Sequence, residues 1–288
     1  MKSYRLKHTG KAAALVLAVA LIAIASCGRS DRKPELSAHD MSQAVPEGSL
    51  NAVAKSISTA DARAFASYCS YPIMREYPLR DIADSAGMVK YFNVIFDDSV
   101  RQAFGKMNIK DWQSYGWRGW SPSANNELWW NDGVYAINYH SAAENAMRAM
   151  LADEEISTIA PELRAGWVPS FCLHDSADST IYRVDFHAPL MPKYNDEADS
   201  IPEQGDFRMS VYPKGSDLHL IPSRIMPGKL KVEGSAGVRT YTFRDKDGTI
   251  ITFSPDEAES VISITTSDST REHPVRNIYW RDYVALPQ

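Results

Sequence analysis

Ile181-Tyr182-Arg183-Val184-Asp185-Phe186-His187 decides how the second half of this chain folds. Tyr182, Val184 and Phe186 alternate with Arg183, Asp185 and His187. Successive side chains of a strand point to opposite faces, so this run predicts a half-buried strand. Its Arg183-Asp185-His187 face is expected to be the outer, solvated one. Phe207, Met209 and Val211 repeat the alternation against Arg208 and Ser210, and Leu230 and Val232 flank Lys231. Thr240 to Phe253 reads as a hairpin turning at Asp245-Lys246-Asp247-Gly248, and Val261–Thr265 and Ile278–Val284 complete the series. About six to eight short strands with turn signals between them predict a mainly antiparallel β barrel or sandwich over 167–288.

Towards the N-terminus the period changes. Leu128-Trp129-Trp130, Asn131-Asp132-Gly133 and Val134 to Tyr139 predict a β-hairpin, with Asp-Gly supplying the positive φ that a tight turn requires. Ser141-Ala-Ala-Glu144 opens a helix as a capping box, with Met147, Met150, Leu151 and Ile156 on its inner face. Pro161 and Gly166 close this part. Between 49 and 110 the apolar spacing is helical: Leu50, Val53 and Ile57 after a Ser49 cap; Phe65 and Tyr68 after an Asp61 cap; Met88, Val89, Phe92, Ile95 and Phe96; then Val100, Phe104 and Met107. The expected fold class is therefore α+β. A helical segment with a β-hairpin (49–166) precedes the β domain (167–288).

Ile57, Asp61, Tyr71-Pro72, Phe92, Phe96 and Trp117 to Trp120 give the stretch 49–139 a pattern that resembles the nuclear-transport-factor-like, SnoaL-like (cystatin-like) folds. The resemblance implies a curved sheet wrapped by short helices around a pocket. It implies little about function, because that fold serves enzymes and ligand-free scaffolds alike.

The N-terminus speaks to location. Lys2, Arg5, Lys7 and Lys11 precede an unbroken apolar run from Ala12 to Ala25, which is too short for a comfortable membrane span and suits a secretory signal. Ile24-Ala25-Ser26-Cys27 resembles the bacterial lipobox. That resemblance implies removal of residues 1–26 and diacylation of Cys27, with palmitate-type chains holding the protein to the lipid bilayer. Gly28 stands where an aspartate retains enteric lipoproteins at the inner membrane, so the outer membrane is implied, and without an acidic stretch behind Cys27 its periplasmic face is favoured over the cell surface. The rest of the chain looks like uncharacterised bacterial lipoproteins. Residues 27–48 read as a lipidated flexible tether, whose 21 residues after Cys27 span roughly 25 Å as a coil and about 70 Å when extended. Signal removal leaves 27 basic against 36 acidic side chains, a formal −9, which is repelled by phosphate backbones and sets nucleic acid aside as a partner.

Chemistry is sparse. Trp112, Trp117, Trp120, Trp129 and Trp130 cluster within 19 residues. Two readings stand for them: core packing, and a ligand or partner surface on which the C–H faces of sugars stack. Cys69 and Cys172 either pair, closing a loop of about 100 residues worth roughly 4–5 kcal/mol, or pack as separate buried thiols. The histidines lack metal-ligand spacing, Asp245 to Gly248 lacks the distal ligands of a calcium loop, and no phosphate loop or dinucleotide fingerprint occurs, so no metal, cofactor or catalytic residue is expected. The expected function is a non-catalytic binding or structural module of the envelope, with an envelope protein, a glycan such as peptidoglycan, or a small apolar ligand as partner. The alternative is a glycan hydrolase using two carboxylates, which needs a pair about 5–10 Å apart in a cleft with one pKa raised.

Overall fold

The computed structural model describes residues 45–122, 127–187, 200–233, 238–255 and 260–284. The signal, Cys27 and nearly all of the tether lie outside the described residues. Among the described residues no helix is long and apolar enough to cross a membrane.

The described residues belong to one compact unit. It opens with α1 (Glu47–Ser58), α2 (Ala62–Ser67), α3 (Ser85–Ile95) and α4 (Asp98–Lys106). Asp61, Asp84 and Asp97 cap the last three, each accepting from the backbone N–H three residues on, at Ala64, Gly87 and Val100. α1 begins two residues before the expected Ser49 cap: Leu50 N–H donates to Pro46 C=O, and no side chain caps the helix. Leu50, Val53, Ile57, Phe65, Phe92 and Phe96 form one core, with the Phe65 ring edge-on to Phe92 and Phe96 at 5.6 and 5.0 Å. Val89 lies on the exposed side of α3, contrary to expectation.

β1 (Trp112–Ser114), β2 (Trp120–Pro122), β3 (Leu128–Trp130) and β4 (Val134–Ile137) form an antiparallel sheet in chain order. The expected hairpin is β3–β4, with Asp132 at φ 55° in its turn. Ser141 then caps α5 (Ala142–Ser157) by accepting from Glu144 N–H. The inner face of α5 is not the expected methionine stripe. Met150 is 52% exposed, Met147 and Leu151 are half-buried, and the buried positions are Glu144, Ala152 and Glu155.

The remainder is a closed barrel, not a sandwich. Its strands are β5 (Trp167–Asp175), β6 (Ile181–His187), β7 (Ser200–Tyr212), β8 (Arg224–Glu233), β9 (Val238–Arg244), β10 (Ile250–Phe253), β11 (Val261–Thr265) and β12 (Thr270–Ile278). Each pairs antiparallel with the next, and β12 pairs with β5 to close the ring, which removes every exposed edge. The last strand was misplaced by sequence: β12 ends at Ile278 rather than starting there, and Trp280–Asp282 is a 3-10 turn. β12 carries Pro274 and mostly exposed polar residues, so its apolar alternation is faint. A barrel of about eight strands has an interior just wide enough for side chains to fill. Here Val184, Met209, Met226, Phe243 and Ile262 fill it, all fully buried. Gly228 lies opposite Phe243, and a Cβ at Gly228 would sit 2.2 Å from that ring.

Arg183 and Asp185 point out of this barrel as expected, but not into solvent: both are fully buried. α5 and the turn at Trp280 cover that outer face. Only His187, at the end of β6, meets the expectation of exposure.

Candidate binding cleft and its buried support

A cleft of about 980 Å³ opens at the end of the barrel where Phe186, Arg239 and Pro255 lie. Its floor is aromatic. The Phe171 ring packs against Tyr241 at 4.9 Å and Phe253 at 5.4 Å, and Phe186 extends the surface. Alternation places these rings at the barrel's inner rim. The facing wall comes from the loop at residues 74–81, the end of β4 and α5, and it is polar: Arg75, Glu76, Tyr77, Asp81, His140 and Arg148.

That wall is held rigidly. The Arg75 guanidinium donates to both Glu144 carboxylate oxygens, to Ile137 C=O and to Tyr139 C=O, with its side chain 3% exposed. His140 Nδ1 lies 3.2 Å from both Arg75 and Glu144. Burial alone would raise the Glu144 pKa. The hydrogen bonds from His140 and Arg75 outweigh it and hold the carboxyl below its ordinary value. Arg148 donates to Tyr77 C=O at 3.0 Å and pairs with Glu76 at 2.7 Å.

Behind the wall runs a buried ladder of alternating charge. Tyr77 O–H donates to Glu155 on α5 at 2.9 Å; Glu155 meets Arg183 at 2.6 Å; Arg183 meets Asp185 at 2.8 Å; Asp185 meets Arg208 of β7 at 2.9 Å. Arg208 also donates to Leu163 C=O at 2.5 Å. Indole rings floor both guanidinium groups, Trp280 under Arg183 at 4.8 Å and Trp167 under Arg208 at 4.3 Å. Two anions and two cations cancel, which is how such groups are tolerated without water. Burial pushes the Glu155 carboxyl above its ordinary value, with Arg183 pulling the other way. Burial also raises the Tyr77 hydroxyl well above its ordinary value. Trp280 is tied in by its indole N–H, which donates to Thr158 Oγ1 at 2.7 Å.

The hydrolase alternative needs a carboxyl of raised pKa in a cleft, with a second carboxylate nearby. Among the described residues the carboxyl whose pKa is raised, Glu155, is fully buried and engaged by Arg183 and Tyr77. The carboxylates that line the cleft have structural partners: Glu76 pairs with Arg148, and Asp81 accepts from Arg75 N–H at 2.9 Å. The Cys172 thiol at the cleft's base is fully buried and burial raises its pKa, so it stays protonated and unreactive.

The tryptophan cluster divides. Trp112, Trp120 and Trp130 are buried in the helical core, and Trp129 is half-buried against Tyr115 at 5.0 Å. Trp117 alone of the five is exposed, at 84%, with the Arg118 guanidinium 5.3 Å over its ring. The disulfide alternative is not realised: Cys69 and Cys172 are free. Cys69 packs against the helical core, whereas Cys172 faces outward from β5 into a separate cluster with Trp280, so each fills a hydrophobic site of its own.

Sequence reading missed one grouping. Ligand atoms of Asp175, Asp178 and His273 lie within 4.8 Å of one another at the β5–β6 turn, a set able to hold a divalent ion. His273 Nδ1 is 2.6 Å from Asp175, and the two are 98 positions apart, so no local spacing announces them. Asp245 and Asp247 both pair with Arg224, so that turn is braced by a cation of its own chain.

No family model, curated protein or solved structure matches this chain.

Proposed function

We propose that this chain is a lipid-anchored protein of the bacterial envelope, held through acylated Cys27 at the periplasmic face of the outer membrane, and that it works as a non-catalytic binding module. Location rests on Ile24-Ala25-Ser26-Cys27 and the apolar run before it. The binding role rests on one observation, the cleft in which the rings of Phe171, Phe186, Tyr241 and Phe253 face a wall of Arg75, Glu76, His140 and Arg148. The volume, about 980 Å³, is that of a small-molecule site. A pyranose ring has a matching duality, with a C–H face to stack and a hydroxyl rim to hydrogen-bond, so an envelope glycan is the occupant class.

Titration calorimetry of the Cys27→Ala chain with soluble peptidoglycan fragments tests this. A saturable heat that falls at least tenfold in affinity in both Phe186→Ala and Arg148→Ala supports the cleft. Binding unchanged by either substitution would remove it. Anchoring is tested by fractionation: Cys27→Ala should release the protein or leave an unprocessed precursor, and a processed, still-anchored variant would sink the lipoprotein reading.

A further inference from the structure

A second cavity, of about 260 Å³, lies between α3, α5 and the loop at residues 79–82. Its body is apolar, made by Leu79, Ile82, Val94, Ile95, Met147 and Leu151. This cavity explains why Met147 and Leu151 of α5 are only half-buried. They are the apolar stripe that the sequence assigns to a core, yet they face a hollow rather than packed side chains. Interiors are normally filled to crystal density, so an apolar hollow on the packing face of a helix has the form of a receptor.

Its rim carries three arginines, Arg75, Arg80 and Arg281, beside the Glu144 carboxylate. Arg80 is paired with Asp282, and Arg75 is consumed by Glu144 and the Ile137 and Tyr139 carbonyls. Arg281 differs. Its side chain is 19% exposed, its ion pair with Glu154 is stretched to 3.9 Å, and its buried Nε has no hydrogen-bond partner within the protein. A buried donor left unmet costs about 1–3 kcal/mol, and a guanidinium fork is shaped for a carboxylate.

We propose that this cavity binds an apolar monocarboxylate, its hydrocarbon part among Ile82, Ile95, Met147 and Leu151 and its carboxylate on Arg281. The site adjoins the barrel-end cleft, with Arg75 and Leu79 lining both, but Ile82, Ile95, Met147, Leu151 and Arg281 line this cavity and not that cleft. Arg281 selects an acid over a neutral amphiphile, and the apolar body selects against short hydrophilic acids such as acetate.

The test is calorimetric titration of the Cys27→Ala chain with sodium octanoate, with octanol and acetate as controls. The expected result is one octanoate per chain, with octanol and acetate at least tenfold weaker. Arg281→Gln should weaken octanoate at least tenfold while leaving octanol unchanged, and Leu151→Trp should abolish octanoate binding by filling the cavity. Arg281→Gln retains the apolar body, so it remains decisive if Leu151→Trp fails to fold. Failure to saturate at one site, or equal binding of octanoate and octanol, overturns the proposal. So does octanoate affinity that Arg281→Gln leaves intact.

Discussion

The Glu155 carboxylate of α5 lies 2.6 Å from the Arg183 guanidinium of β6, and neither side chain is more than 1% exposed. This pair fixes the helix to the outside of the barrel at one register. Removing two charges from water costs several kcal/mol per ion before their attraction offsets it, so an apolar contact of equal size would stabilise at least as well. What the ion pair adds is directionality. A leucine on α5 could slide along an apolar barrel face, whereas Glu155 meets Arg183 in one place, with Tyr77 donating to its other side. Tyr77 belongs to the cleft wall, so the pair also sets where that wall stands.

Arg183→Met should therefore destabilise the protein by about 3–5 kcal/mol, because it leaves Glu155 buried beside Asp185 without a cation between them. Adding Glu155→Leu to Arg183→Met should recover a large part of that loss. Urea denaturation of the wild type, both single variants and the double variant measures the coupling. Additive losses would mean that the two side chains do not act as a unit.

The barrel was legible because its inward residues alternate with polar ones on β6, β7 and β8, and because Asp245–Gly248 marks a turn. The ladder was not, for the same reason: alternation says that Arg183 and Asp185 face out of the barrel, and nothing local says that α5 will cover them. The signal was present but distant. Glu144 and Glu155 fall on the inner face of α5, where a helix destined for solvent on that side would be indifferent to them, and matching them to Arg75 and Arg183 needs the tertiary fold. The cleft was hidden in the same way, since its floor and wall come from strands and a loop far apart in sequence. Among the tryptophans, nothing local could show that Trp112 and Trp120 would share Trp130's core.

Gly228→Ala should cost about 1–3 kcal/mol. The added methyl would lie 2.2 Å from the Phe243 ring, which is fully buried inside the barrel and cannot swing to solvent. Pairing it with Phe243→Leu should restore part of the loss, read from thermal or urea midpoints. An unchanged midpoint in Gly228→Ala would mean that the barrel interior is not packed against this position.

Both thiols should resist alkylation in the folded protein. Burial raises the Cys69 thiol to about 12 and the Cys172 thiol higher still, so at pH 8 almost no thiolate is present at either site. Iodoacetamide labelling of the Cys27→Ala chain, read by mass, should proceed only in denaturant, and two labels should then appear without prior reduction. Labels that require a reductant would show a disulfide.

Acid should weaken one helix terminus through a single carboxylate. Asp97 caps α4 and accepts from Ser99 O–H and Tyr139 O–H, both at 2.6 Å, and from Val100 N–H at 3.1 Å. Those hydrogen bonds hold its carboxyl at about 2, below its ordinary 3.8. A depressed folded value means that the stabilisation is complete above the unfolded value and is lost as pH falls from about 4 through about 2. Asp97→Asn keeps a capping oxygen but no charge, so its stability deficit relative to wild type should be constant from pH 7 to 5 and should shrink as the pH falls to 2. Asp97 is only half-buried, so solvent screens the effect and keeps it well below what the full shift would imply. Urea midpoints of both proteins across that range decide the point: a deficit that does not change with pH would assign the role of Asp97 to geometry alone.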